Sequence, residues 1–427
     1  MLNSSTIPLY IAIDIGKNAH CYAGYEGVQL TPLHAPVMVL SNGNGFQQFQ
    51  GWLEELINSG QYGPIVIGLE PTGIYHESWV DALLRAFGER IQLKLLGTYQ
   101  VSQRRKQIQN GRKKKTDPLD VGAMAYCLRD GLGNPVAARQ ADTVRFEVWM
   151  TAYRQTERAL NRMSNQLLAQ VDRLWPGMLL DVKAFQKAHP DLPLPEPLVR
   201  TLPFTRATVQ PILADAPNPY DWLDWQDADI AAFYHTHGHP CGPKLIQRIR
   251  MVLDRLLLPT PAVASVLAEQ LQSDFQAYLD LANRLAALTN QAEEIVPASP
   301  AAVLTSIPGI SAYTAARYAA FVGDPHRFQH AGQVWALAGL DLVTNDSGDR
   351  RHVGGLTKRG DPAFRHVLFS IGLTTSQQCP PIQAAKERAL HHGKGKIGAV
   401  LHAAHKANRI CFRLYRDQVL FDPTKLH

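Results

Sequence analysis

The chain has 427 residues, too many for one ordinary core, so two or three domains are expected. Hydrophobic residues make up 45% and charged residues 19%, which excludes a mostly disordered chain, and no apolar run reaches the roughly 20 residues of a membrane helix. Lys and Arg outnumber Asp and Glu by 43 to 37, a mild excess that matters where it is clustered.

Residues 7–14 are apolar and β-prone, Gly16-Lys17-Asn18 turns the chain, and residues 20–25 read as a returning strand. Residues 37–40 supply a third strand, and Phe46, Phe49, Leu53, Leu56 and Ile57 have helical spacing. A buried strand over 64–70, a helix over 79–87 and a strand over 91–96 follow. Behind them comes a basic run, Arg104, Arg105, Lys106, Arg112, Lys113, Lys114 and Lys115, with no acid between Ile91 and Thr116. Such a run suits a polyphosphate partner, while its plain alternative is a solvated loop.

Asp117-Pro118-Leu119-Asp120 fits a helix start, with Asp117 as N-cap and Asp120 reaching back, and the helix continues to a stop at Gly131–Pro135. Trp149, Tyr153, Leu160, Met163, Leu167, Val171 and Leu174 step by three, four or seven, as do Leu267, Leu271, Phe275, Tyr278, Ala282, Leu285 and Leu288. Two long amphipathic helices of this kind pack on each other or on a second subunit. Between them, residues 177–242 are rich in Pro, aromatics and acids and read as an insertion. Its His235, His237, His239 and Cys241 carry metal-binding chemistry, but alternate positions feed a tetrahedral site poorly and Gly238 and Pro240 favour a loop.

Residues 304–318, with Ile307-Pro308-Gly309 as the tight turn, have a helix-hairpin-helix signature whose Pro308 and Gly309 amide region would face a phosphate. Ser347-Gly348 follows in what reads as a polar loop with Arg350, Arg351, Lys358 and Arg359. A second basic zone runs from Lys386 to Arg416. Five scattered cysteines and no charged-then-apolar leader suggest a reduced, cytoplasmic protein.

Asp14 and Glu70 each end a strand, and Asp117 and Asp120 share one helix face. Taken singly, each has a structural explanation in a turn or a cap. Two carboxylates about 4 Å apart repel by roughly 4 kcal/mol at an effective dielectric of 20, so four converging acids need a cation, and an all-oxygen set suits Mg²⁺ or Mn²⁺.

Asp-Ile-Gly-Lys at 14–17, Leu-Glu-Pro-Thr-Gly-Ile-Tyr-His at 69–76, Lys-Thr-Asp-Pro-Leu-Asp at 115–120, Ile-Pro-Gly-Ile at 307–310, the 328–340 segment, Ser347-Gly348 and Thr-Lys-Arg-Gly at 357–360 stand in a specific order. In that order the chain resembles the DEDD transposases of the insertion-sequence one-ten family, over residues 8–130 and 300–416. The resemblance implies an α/β RNase H-like (RuvC-like) domain over 1–135. It also implies a long helical coiled-coil arm over 136–176 and 243–297 split by the 177–242 insertion, and a mainly α C-terminal domain over 298–427 with a helix-hairpin-helix and a catalytic serine. By motif, Asp14, Glu70, Asp117 and Asp120 would hold Mg²⁺ or Mn²⁺, and Ser347 would attack the DNA phosphate to form a covalent link. The implied partners are double-stranded DNA at the element ends and target, a structured bridge RNA as guide, and further copies of the chain in a dimer of dimers, in the bacterial cytoplasm at the nucleoid. A hydrolytic Holliday-junction nuclease would use the acids and ignore Ser347, and a non-catalytic nucleic-acid scaffold would need neither.

Overall fold

The computed structural model describes residues 7–109, 116–136, 140–193, 197–199, 204–347 and 350–425, with backbone alone for 343–347 and 350–354. It divides into two compact units, Met1–Arg139 and Gln140–His427.

The first unit is a mixed sheet between helices. Its strands are β1 (Ile7–Ile15), β2 (Ala19–Glu26), β3 (Thr31–Pro32), β4 (Val37–Leu40), β5 (Tyr62–Glu70), β6 (Gln92–Leu95) and β7 (Asn134–Pro135). The spatial order is β3-β2-β1-β5-β6-β7, and β4 pairs with β2 beyond β3. β1 is antiparallel to β2 and parallel to β5, which is parallel to β6. Helices α1 (Gly43–Asn58) and α2 (Glu77–Phe87) cover one face. Leu9, Ile11, Ile13, Ile15, Ile65, Ile67 and Leu69 pack there with Phe49, Leu53, Trp79 and Leu83. Helices α3 (Thr98–Ile108) and α4 (Asp117–Arg129) cover the other, where Ala12, Cys21, Ala23 and Val66 meet Val101, Val121, Met124, Cys127 and Leu128. The period-2 alternation of the strands therefore sorts their side chains between two cores. Gly68 lets α4 lie close to β5, because a Cβ at that position would meet Leu128 Cδ2 at 2.7 Å.

The strands and helices anticipated in the first 96 residues are present at close to their expected bounds. Two elements differ from expectation. The basic run begins on a helix, α3, and α4 starts at Asp117 with Thr116 as its N-cap, one residue earlier than the capping pattern indicates.

In the second unit, α5 (Ala141–Leu174) precedes α6 (Val182–Ala188), α7 (Gln210–Asp215), α8 (Pro219–Asp224), α9 (Asp227–Thr236), α10 (Pro243–Leu253) and α11 (Pro261–Ile295). The two long helices pack antiparallel on each other. Trp149 Nε1 donates to the Leu288 carbonyl at 2.8 Å, while Gln166 and Gln170 both donate to Asp274, at 2.7 and 2.6 Å. Residues 243–253, grouped with the arm from the sequence, form the separate helix α10, whose Ile249, Val252 and Leu253 join the core of the insertion. That core centres on Trp175, Phe204, Trp222 and Tyr234 and seals against Leu271 and Phe275 of α11.

The carboxy-terminal core is built by a 3₁₀ turn over Pro300–Ser306, α12 (Ala312–Val322), α13 (Ala331–Leu337), α14 (Pro362–Gln378), α15 (Pro380–His391) and α16 (Lys396–Asp417). The segment before the Ile307-Pro308-Gly309 turn is thus 3₁₀ and not an α-helix. A hairpin of β8 (Leu342–Ser347) and β9 (Arg350–Leu356) stands where a polar loop was expected. No described helix is long and apolar enough to cross a membrane.

Candidate functional site

Asp14 and Glu70 are register partners on the parallel strands β1 and β5. Asp14 alternates with Ile13 and Ile15, and Glu70 with Leu69, all of which enter the α1/α2 core. Both acids accordingly project to the α4 face, at neighbouring strand ends about 4.8 Å apart along the sheet. The turn after Asp14 is held by the Gly16 amide, which donates to Nδ1 of the fully buried His20 at 3.2 Å. Burial depresses the His20 pKa below its usual value, so this imidazole stays neutral and accepting. The sequence did not single out His20, although a histidine six residues after the strand-end acid Asp14 and followed by an apolar run is the visible sign.

Asp117 and Asp120 lie in the first turn of α4, Asp117 exposed and Asp120 buried. Cys21, the ladder partner of Asp14 on β2, reports on the electrostatics: burial lifts its thiol to about 11, and Asp117 and then Asp14 add to the rise. Cys127 is likewise raised by burial, against the pull of Arg104, with Asp130 and Glu70 contributing smaller increases. The four acids therefore share one face of the sheet domain.

They do not form a closed cage. Asp120 is ion-paired with Arg105 of α3, its side chain 3% exposed. Arg104 pairs with Asp130, which also meets Arg129 at 2.9 Å. Two of the basic residues expected to face a phosphate thus clamp α3 onto α4, while Lys106 is exposed. Arg112, Lys113, Lys114 and Lys115 lie outside the described residues. Among the described residues, no three His, Cys, Asp or Glu stand together closely enough to hold a metal ion. The adjacent Asp14 and Glu70 suit a hard cation; Asp120 is instead neutralised by Arg105.

In the second unit, Ser347 ends β8 and pairs in register with Arg350. Gly348 and Asp349 lie outside the described residues, and the side chains of Ser347, Arg350 and Arg351 are not among those described. The base of the hairpin is pinned by backbone bonds: Thr357 donates to Asp341 at 2.8 Å and Lys358 to Gly339 at 3.0 Å. Gly339 and Gly360 meet back to back, and a Cβ on Gly360 would fall 2.2 Å from the Gly339 nitrogen. Lys358 and Arg359 are left exposed beside that base. Asp361, which caps α14 by accepting from the Ala363 amide at 2.7 Å, also accepts from Arg154 of α5 at 3.2 Å, a brace the sequence did not reveal.

Gly309 is explained by packing: its Cβ would meet the Thr374 backbone at 2.9 Å, so the turn lies directly on α14, with Pro308 exposed. His235 lies in the last turn of α9 and His237 is its C-cap; His237 Nδ1 donates to the Phe233 carbonyl at 2.7 Å while its Nε2 meets Asp215 at 2.8 Å.

Residues 11–176 match the family of IS110-type DEDD transposases, described as "Transposase", and residues 301–387 match "Transposase IS116/IS110/IS902 family". The chain is 27% identical over 189 residues to the "Insertion element IS110 uncharacterized 43.6 kDa protein" of Streptomyces coelicolor, covering 43% of this chain and 46% of that protein. It is 34% identical over 96 residues to the "Transposase for insertion sequence element IS1111A" of Coxiella burnetii, covering 22% of this chain and 26% of that one. The chain spans less than half the length of these curated relatives. The two family matches fall on the sheet unit with the first long helix and on the carboxy-terminal core, together more than half of the residues, and in that order they identify the chain as belonging to the IS110 transposase family, with a DEDD amino-terminal domain.

Proposed function

We propose that the chain is a DNA transposase or site-specific recombinase that cleaves and exchanges strands through a serine-DNA ester. The observation that carries the reading is the side-by-side placement of Asp14 and Glu70 on the α4 face of a sheet domain of DEDD type, in a chain whose other half matches the family's second domain. The strand order, with β3 and β4 sharing one edge of β2, supports an RNase H-like assignment.

In this reading Asp14 and Glu70 hold a divalent cation, Mg²⁺ or Mn²⁺, with Asp117 and Asp120 completing the set once Arg105 has left. Such an ion would polarise a phosphodiester. The Ser347 hydroxyl attacks phosphorus, its proton leaves to solvent or a base, and the departing sugar oxygen takes a proton as its bond to phosphorus breaks. One phosphoester replaces another, so the strand can be rejoined without an external energy source. The cations of Lys358 and Arg359 steady the phosphate charge. The remaining parts of the proposal are a structured bridge RNA as guide, a cytoplasmic setting, and a dimer of dimers in which acids and serine come from different subunits.

The test incubates the protein with Mg²⁺, labelled DNA spanning the element's ends and RNA transcribed from its flanks, then resolves the products on a denaturing gel. The expected result is a covalent protein-DNA adduct that vanishes in Ser347→Ala and in Asp14→Ala. Metal-dependent cuts that persist in Ser347→Ala without an adduct would make the chain a hydrolytic nuclease instead.

A further inference from the structure

The α15–α16 face of the second unit carries charge that the proposed chemistry does not use. Residues 380–416 contain eight Lys and Arg and a single acid, Glu387. α16 buries Ala399, Ala403, Ala404, Ala407, Cys411 and Leu414, and leaves His402, His405, Arg409 and Arg413 exposed on the opposite side. Their spacings of three, four and four align them in one stripe, about 16 Å long at 1.5 Å per residue.

The amino-terminal end of the stripe opens onto a cavity of about 290 Å³ lined by Ala385, Arg388, Ala389, His392, Lys394 and His402. Every polar side chain in that lining is cationic or imidazole, and no acid is among them. The cations are not spent on capping α15. Its last carbonyls are taken by backbone amides, His392 donating to Arg388 at 3.0 Å, Gly393 to Leu390 at 2.9 Å and Lys394 to Ala389 at 3.0 Å. Among the described residues Arg388, Lys394 and Arg409 form no ion pair, and the His405 pKa is lowered by burial first, with Arg409 and then His402 adding to the fall. Arg413 has only a long contact to Asp417, 3.8 Å, at an exposed position. Like charges gathered in a concavity without counter-ions constitute a site for an anion.

We propose that this cavity and stripe bind the sugar-phosphate backbone of a nucleic-acid duplex, one phosphate seated between Arg388 and Lys394 and the same strand running along α16 to Arg413. At one charge per 3.4 Å of strand, 16 Å corresponds to about four or five phosphates. Beside its imidazoles the stripe offers no exposed Phe, Tyr or Trp of α15 or α16 on which an unpaired base would stack, since Phe412 and Tyr415 are buried, and this favours a duplex over a single strand. The proposed contacts are to phosphates, which carry no sequence information directly, so this binding is independent of sequence. The inference stands on this face alone, whether or not Ser347 is a nucleophile.

The test measures fluorescence anisotropy of labelled 20-base-pair DNA and RNA duplexes of arbitrary sequence with the full chain, across a salt series. The variants are Arg388→Gln/Lys394→Gln/Arg409→Gln and, as an equal-charge control, Lys183→Gln/Lys187→Gln/Lys244→Gln on exposed positions of α6 and α10. All these side chains are exposed, and circular dichroism checks the fold. Removing three phosphate contacts should lower the slope of log affinity against log salt by about 2.7 on B-DNA, or by about one per contact, while the control leaves the slope unchanged. The duplex that shows the loss identifies which nucleic acid supplies the strand. Equal slopes for wild type and the α15–α16 variant on both duplexes would make the face merely solvated, and an equal loss in the control would reduce it to net charge; either overturns the proposal.

Discussion

Replacing Arg105 by Gln tests the central feature of the sheet unit, the neutralisation of a buried acid by an arginine. The Asp120 side chain is 3% exposed and that of Arg105 is 19% exposed, so the carboxylate would keep its burial and lose its partner. Breaking such a pair costs about 3–5 kcal/mol, and the partial access of water beside Arg105 places this case near 3 kcal/mol. Because the chain has two units, a global melting curve does not isolate the effect. Hydrogen exchange of α4 peptides does, and about 3 kcal/mol corresponds to exchange faster by roughly 100-fold. Arg105→Gln combined with Asp120→Asn removes the stranded charge and should recover most of the protection. In Arg105→Gln alone, Mn²⁺ should protect α4 more than it does in wild type, because the Asp120 carboxylate is then open to a cation. Faster exchange that Asp120→Asn leaves unchanged would refute the reasoning, since the damage would then come from lost packing and not from charge.

Gly68→Val sets a branched side chain against Leu128 and should lift α4 from β5, costing about 1–3 kcal/mol by urea denaturation followed on the tryptophans of the sheet unit. Trp222→Ala empties the centre of the insertion core, and a loss of about 3–5 kcal/mol should appear as rapid proteolytic cleavage within residues 204–253; resistance equal to wild type would contradict that core. His237 donates from both ring nitrogens, to Phe233 and Asp215, and these bonds raise its pKa above 6.5, the Phe233 carbonyl contributing most. Its contribution is therefore fully present below pH 6.5 and is lost as pH rises through the folded value, and His237→Gln should abolish that dependence in exchange rates at the end of α9. His20 has the opposite sign: burial lowers its pKa, the unfolded chain binds the proton first, and stability of the sheet unit should fall as pH drops below about 6.5 in wild type but not in His20→Gln.

The strands and helices of residues 7–96 were legible because each carries its own period. Ile11, Ile13 and Ile15 alternate along β1, Phe49 and Leu53 repeat at helical spacing, and turns separate them. The same holds for the two long helices, whose apolar positions recur every three or four residues. α3 was not legible, since Val101 is its one buried residue and the rest is polar, so no stripe marks it. The β8–β9 hairpin was missed for a related reason: its strands are dense with Asn, Asp and Arg and carry little apolar alternation. In the insertion, prolines and aromatics pointed to irregular structure, but Trp175, Trp222 and Tyr234 organise short helices whose cohesion is long-range.

The acids divide along the same line. Asp14 and Glu70 could be named from the sequence because a strand-end acid is a local pattern, and the pairing of β1 with β5 then set them side by side. That Asp120 would meet Arg105 depended on how α3 folds back over α4, a contact fifteen residues apart that neither segment encodes alone. The cavity of α15 and α16 is a further case, its Arg388 and His402 brought together only by the turn between two helices. Local periodicity and motif order are written residue by residue and so survive in the sequence. Which charges neutralise one another, and which are left facing a cavity, is decided by packing between distant segments, because that packing sets the distances on which electrostatic energy depends.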